Sequence, residues 1–181
     1  MNFHFKRNPD IIIVDDHLIF RQGIKAIINY EDIGTVIGEA SNGEEFIELL
    51  LKTKPDLVLM DIDMPNMNGF EATRKALEIL PNLKIIGFTV FDENDYYNRM
   101  FELGAKGFIL KSSGFVELEK AISVVMNGEK YFSGKFQNET NKNIREDELV
   151  DPNENDSGKQ NRKSKMLLFP WTVNNRHCVI L

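Results

Sequence analysis

A single cysteine, Cys178, stands in 181 residues, so neither an internal disulfide nor a cluster of thiolates on a metal holds the fold together. Positive charge is scarce as well. Residues 1–136 carry 15 Lys and Arg against 21 Asp and Glu, while 137–181 carry 7 against 7, so the whole net charge of −6 lies in the first part. With no basic stripe there, nucleic acid is not an expected partner of this chain, because a phosphate backbone requires Lys and Arg gathered on one face. Long apolar runs are missing too: none approaches the ~20 residues of a spanning helix, and Met1 to Arg7 lacks a signal-peptide core. The expectation is a cytoplasmic chain with no membrane partner. What is there, 42% hydrophobic and 28% charged residues, is the balance of a packed domain, which excludes disorder throughout and makes an apolar core the source of stability.

From Asp10 to Gly128 one rhythm repeats: a short run of Ile, Val and Leu, a turn with acidic residues or Gly, then a stretch with helical spacing. Ile11 to Val14 lead through Asp15-Asp16 into a helix bearing Phe20, Ile24, Ile27 and Ile28. Val36 to Ala40 lead through Ser41-Asn42, a suitable helix start, into Phe46, Leu49 and Leu50. Leu57 to Met60 end at Asp61 and pass through Met64 to Gly69 into a helix that Pro81-Asn82 stops. Lys84 to Thr89 precede a helix that runs to Gly104, where a left-handed cap is expected. Gly107 to Leu110 end at Lys111 and hand over at Ser112-Ser113 to the helix of Val116, Leu118, Ile122 and Val125.

Five strands too apolar for a sheet with one wet face, alternating with five helices, imply an α/β fold with a parallel sheet covered on both sides. Right-handed crossovers make the doubly wound, flavodoxin-like order 2-1-3-4-5 the expectation. Its functional site lies beyond the carboxyl ends of the strands. Those ends carry Asp15-Asp16, Asp61, Thr89 and Lys111, and strands one and three flank the switch point, so three carboxylates converge. Mg2+ suits such a pocket, since it takes carboxylates, waters and phosphate oxygens octahedrally. A lysine there acts as a point charge on phosphate oxygens, and the Thr89 hydroxyl is a further hydrogen-bonding group for them.

Taken singly, each of these residues has a plain reading: a strand-end turn, a helix cap, a surface cation. Together and in this order they resemble the receiver domain of two-component response regulators, over about residues 9–130. Asp15-Asp16-His17, Arg21-Gln22-Gly23 and Gly104 to Ser112 are most similar to the NarL/FixJ (LuxR-type) class. The resemblance implies that Asp61 is the phosphoacceptor, that Asp15, Asp16, Asp61 and the backbone carbonyl of Asp63 hold Mg2+, and that Thr89 and Lys111 hold the phosphoryl oxygens. It further implies a switch made of Thr89 and Phe108, a sensor histidine kinase as partner, homodimerisation on phosphorylation, and no enzymatic turnover beyond self-phosphorylation and slow autodephosphorylation. His17 reads as helix-start surface rather than ligand, and Tyr96-Tyr97 as cover for the fourth helix. Asp63 and Phe91 are expected to tune the lifetime of the phosphorylated state. Two rivals fail on sequence: the Asp-x-Asp of haloacid-dehalogenase-like phosphatases belongs on a first strand with a different follower than Pro65, and a flavin-binding loop would be Ser/Thr/Gly-rich where Asp15-Asp16-His17 stands.

Beyond Lys135 the composition changes. Gln137 to Lys165 is dominated by Asn, Asp, Glu, Lys and Ser, so 137–181 is expected to be a disordered tail. Its 45 residues are fewer than the roughly 60 of a LuxR-type helix-turn-helix domain and lack a recognition-helix pattern. The tail is read as a truncated or frame-shifted remnant, with a partner-binding peptide or a segment folded onto the receiver as alternatives; Cys178 to Leu181 also fit a prenylation box, which a bacterial-type receiver would not use. The function expected is a phosphorylation-controlled receiver that switches protein contacts. The alternatives are a DNA-binding transcriptional regulator whose output domain is missing here, and a stand-alone phosphate sink or relay.

Overall fold

Four consecutive buried residues, Ile11 to Val14, require a strand covered on both faces. In the computed structural model, which describes residues 7–132, they form β1 (Asp10–Val14). Around it lie α1 (Leu18–Tyr30), β2 (Thr35–Ala40) and α2 (Gly43–Leu50). The chain continues through β3 (Leu57–Met60), α3 (Gly69–Ile79), β4 (Lys84–Thr89) and α4 (Asn94–Glu102). It closes with β5 (Gly107–Leu110), α5 (Phe115–Met126) and β6 (Tyr131–Phe132). All pairings are parallel, in the order β2-β1-β3-β4-β5-β6.

Side chains that alternate along each strand divide the core in two. Ile12, Val14, Val58, Met60, Ile85 and Phe108 meet α2, α3 and α4 through Phe46, Leu50, Ala76 and Met100. Ile11, Ile13, Leu59, Ile86, Phe88 and Ile109 meet α1 and α5 through Ile28, Leu118 and Ile122. Each fully buried aliphatic side chain contributes about 2 kcal/mol of transfer free energy, which is why both faces are needed.

Local chemistry sets the helix ends. Asn42 caps α2 by accepting from the Glu45 N–H at 3.0 Å, and the Glu45 carboxylate reaches back to the Ser41 N–H at 2.8 Å. Gly104 has the expected positive φ of 96°. Two details differ from the sequence reading. The serines after Lys111 do not cap α5: Lys111–Ser113 form a single 3-10 turn, and Gly114, at φ 80°, starts the helix. A sixth strand also follows α5, just past the expected boundary at 130. Two residues are too short for any periodicity to announce, and packing creates the strand: Phe132 is buried edge-on against Tyr97 at 5.1 Å, while the Tyr131 hydroxyl donates to Glu117 at 3.3 Å. The expected tail, 137–181, lies outside the described residues.

Gly69 shows how closely the fold closes under the carboxyl ends. Its N–H donates to the Ile62 carbonyl at 2.8 Å, and a Cβ there would lie 2.0 Å from the Asp61 carbonyl oxygen. Gly23, within α1, has nothing within 4 Å of the same position. Gly69→Ala is therefore expected to cost about 3 kcal/mol in urea unfolding, because backbone must move. Gly23→Ala, which only removes helix-interior glycine, should gain about 1 kcal/mol.

Candidate functional site

The hydrogen-bond ladder runs one residue past two strands: the Asp61 N–H donates to Val14 at 2.8 Å and the Asp15 N–H to Ala40 at 3.0 Å. This holds the two backbones at the rim of the sheet, and both carboxylates are buried, Asp15 at 2% exposure and Asp61 at 4%. Lys111, delivered by the end of β5, lies between them, with Nζ 2.6 Å from Asp15 Oδ2 and 2.6 Å from Asp61 Oδ2. One ammonium thus serves two carboxylates. The remaining oxygens take backbone donors: Asp61 Oδ1 accepts from Ile62 at 2.7 Å and Asp15 Oδ1 from His17 at 2.8 Å. Burial pushes the Asp61 carboxyl above its ordinary range; the hydrogen bond and charge of Lys111 oppose this, and the Asp15 carboxylate adds to it.

Asp16 and His17 stand on the outer side. His17 Nδ1 is 2.8 Å from Asp16 Oδ1 and 3.3 Å from Asp15 Oδ1. One ligand atom from each of Asp15, Asp16, His17 and Asp61 lies within 4.8 Å of all the others, a spread that the coordination shell of one cation nearly covers. Three carboxylates at such a spacing form a hard-oxygen donor set, which fits Mg2+. Asp63 is exposed on the loop after β3, and Asn66 turns that loop at φ 64°.

Thr89 ends β4 and is wholly buried; its Oγ1 accepts from the Phe91 N–H at 3.4 Å. Phe108 sits opposite Gly87 in the ladder, completely buried and edge-on to Tyr97 at 6.0 Å. It is a core residue already, so no movement from solvent into the core starts from this conformation. Tyr96, read from sequence as cover for α4, stacks on Phe91 at 4.7 Å and 4° and approaches Phe70 at 5.7 Å.

Two supporting residues escaped the sequence reading. The Phe20 ring lies 4.7 Å below the Lys111 ammonium and is itself propped on Phe88 at 5.3 Å. Arg21 donates to the Asp15 carbonyl, and its Nε is 3.7 Å from Glu39 on β2. Phe20 could be seen only as one more apolar position of α1, and nothing in the sequence says that Arg21 turns back toward the strand it follows.

The family described as response regulator receiver domain matches residues 11–123, which span all of these positions. The chain belongs to that family. Among curated proteins, the transcriptional regulatory protein DegU of Brevibacillus brevis is 34% identical over 183 residues, covering all of this chain and 77% of its own length. The response regulator GacA of Pseudomonas viridiflava is 39% identical over 123 residues, 68% of this chain and 58% of its own, so this receiver chain spans little more than half of that relative. Among solved structures, a two-component response regulator of the LuxR family from Aurantimonas sp. SI85-9A1 has a TM-score of 0.70 at 32% identity, covering 76% of this chain and 99% of that one. The receiver domain of a putative response regulator NarL from Mycobacterium tuberculosis has a TM-score of 0.64 at 28% identity, covering 68% and 99%. The relatives are LuxR- and NarL-type response regulators, the class the sequence motifs resemble. No helix among the described residues of this receiver is long and apolar enough to cross a membrane.

The elevated Asp61 carboxyl has a consequence for stability. A group whose pKa is higher in the folded protein binds more protons there, so its ionised form opposes folding, and stability falls as pH rises through the elevated pKa. In chelator-treated protein at neutral pH, Asp61→Asn is expected to raise stability by about 1 kcal/mol, since Lys111 keeps Asp15 as partner. The advantage over wild type should shrink as pH is lowered through the Asp61 titration; thermal unfolding at several pH values measures it. A less stable Asp61→Asn protein would contradict the electrostatic reading.

Proposed function

We propose that this receiver accepts a phosphoryl group on Asp61 from the phosphohistidine of a sensor kinase and thereby switches its protein contacts. The observation that carries the reading is the single ammonium of Lys111 shared by two buried carboxylates. One Asp61 oxygen attacks phosphorus in line as the phosphorus–nitrogen bond to the donor imidazole breaks, and the bonding electrons leave with the imidazole. Such transfer passes through a loose transition state, so positioning and charge neutralisation are the main demands on the protein. The Asp61 ladder bond and the Ile62 N–H fix the acceptor. Lys111 exchanges a carboxylate partner for a phosphoryl oxygen, and the Thr89 hydroxyl leaves the weak bond to Phe91 for another. Asp15, Asp16, Asp61 and the Asp63 carbonyl are the groups that would hold Mg2+, which when bound supplies further positive charge on the transferring oxygens. The acyl phosphate carries about −1.5 to −2 charge where the carboxylate carried −1, so the phosphoryl oxygens concentrate added negative charge beside Lys111 and Thr89.

The transcriptional role is the second reading, favoured by one comparison: the DegU relative is named a transcriptional regulatory protein and its alignment runs over all of this chain. A phosphate sink without output draws no support from the relatives.

Incubation of the full chain with Mg2+ and acetyl phosphate should add one phosphoryl group by intact mass. The gain should disappear in Asp61→Asn and on chelation. A gain that survives Asp61→Asn would remove the assignment. Phe91, half-buried, follows Thr89 by two residues and Asp63, exposed, follows Asp61 by two, so Phe91→Ala and Asp63→Ala are expected to change the dephosphorylation rate of the labelled protein by several-fold. Unchanged decay in both would show that neither governs water access.

A further inference from the structure

His17 is the one member of the cation cluster that a hard, oxygen-seeking ion has no use for. The imidazole is 69% exposed, so apolar burial does not hold it against the carboxylates. Capping does not account for it either: His17 occupies the N-cap position of α1 in extended conformation, and its side chain makes no capping hydrogen bond. Its backbone N–H is instead anchored on Asp15 Oδ1, which turns the ring toward the cluster and leaves Nδ1 2.8 Å from Asp16 and 3.3 Å from Asp15. Lys111 neutralises the buried side of the same cluster through Asp15 and Asp61, so the imidazole stands alone on the exposed side with Asp16.

We propose that His17 is a fourth side-chain ligand of the cation site, giving this receiver a greater preference for borderline divalent ions such as Fe2+ and Co2+ over Mg2+ than its carboxylates alone would give. The inference rests on the proposed cation site at Asp15, Asp16 and Asp61 and adds a ligand to it. Mg2+ binds oxygen donors and surrenders its waters reluctantly, so an imidazole adds little to its affinity. For first-row transition ions an imidazole is a good donor, and affinity for a mixed nitrogen–oxygen site rises from Mn2+ toward Co2+ and Ni2+.

The rival account is that His17 only pairs with the carboxylates, in which case it competes with every cation alike. Binding of Mg2+ and of Co2+ to the full chain, measured separately by calorimetry in wild type, His17→Ala and His17→Gln, separates the two. Ligation predicts that both variants lose about tenfold in Co2+ affinity while Mg2+ affinity changes less than twofold, and that Co2+ shifts the His17 ring protons in NMR spectra of the wild type. A Co2+ to Mg2+ affinity ratio unchanged in the variants overturns the inference, and equal tightening of both ions identifies the competitor instead. Asp15→Asn is the control that assigns the Co2+ signal to this cluster rather than to His4, His177 or Cys178. Wild type that fails to bind Mg2+, or Mg2+ binding untouched by Asp15→Asn, overturns the cation site itself and this inference with it. Loss of the Co2+ preference alone leaves that site standing.

Discussion

Everything at the carboxyl end of the sheet is arranged around one ammonium group. Lys111 pairs equally closely with Asp15 and Asp61, and the three charges sum to −1 in a place nearly closed to water. Even a well-paired charge removed from water carries a desolvation penalty of several kcal/mol, which the pairing offsets only when geometry is good. That geometry is made by strand ends. β1 delivers Asp15, β3 delivers Asp61, the ladder extends one residue beyond each, and β5 ends where Lys111 can reach both. The two apolar faces of the sheet offset what the site costs the fold. The excess negative charge left buried is of the sign that a divalent cation at these carboxylates would offset.

The strand ends were legible because parallel strands buried on both faces read as continuous apolar runs, and their last residues can be named by eye. Asp15, Asp61 and Lys111 come together in the fold as the strand order requires. The supports were not legible. Phe20 under Lys111 and Arg21 on the Asp15 carbonyl lie on α1, and a helical pattern shows which residues face the sheet but not which atom each meets. β6 escaped for a different reason. Tyr131 and Phe132 form a strand because of what they pack on, namely Glu117, Tyr97 and Phe101, and not because of any period of their own. The Ser112-Ser113 start of α5 failed because good capping residues lost to Gly114, whose positive φ lets the chain turn directly out of the 3-10 segment that carries Lys111.

His17 marks the boundary between these cases. A histidine after two aspartates at a helix start is ordinary surface as sequence, and its exposure agrees with that. What sequence cannot carry is the direction of the ring, which depends on the backbone N–H taking Asp15 as acceptor.

The outward path from the site follows the same logic of what is packed and what has room. Two aromatics neighbour Thr89 along the backbone: Phe108 pairs with Gly87, two residues before it, and Phe91 follows two residues after. Phe108, on β5, is enclosed by Tyr97 and the Gly87 backbone, and a side chain so enclosed moves only if the core around it moves. Phe91 is tied to Thr89 by a 3.4 Å bond at the weak end of the range. Its ring stacks on Tyr96 of α4, which meets Phe70 of α3, over which the Arg99 guanidinium lies at 4.2 Å. A displacement of the Thr89 hydroxyl therefore withdraws the acceptor from Phe91 at little cost, whereas displacing Phe108 means repacking the core. The physical asymmetry between the two aromatics makes the β4–α4 segment the softer of the two surroundings, because a partially exposed stack can rearrange without opening the sheet.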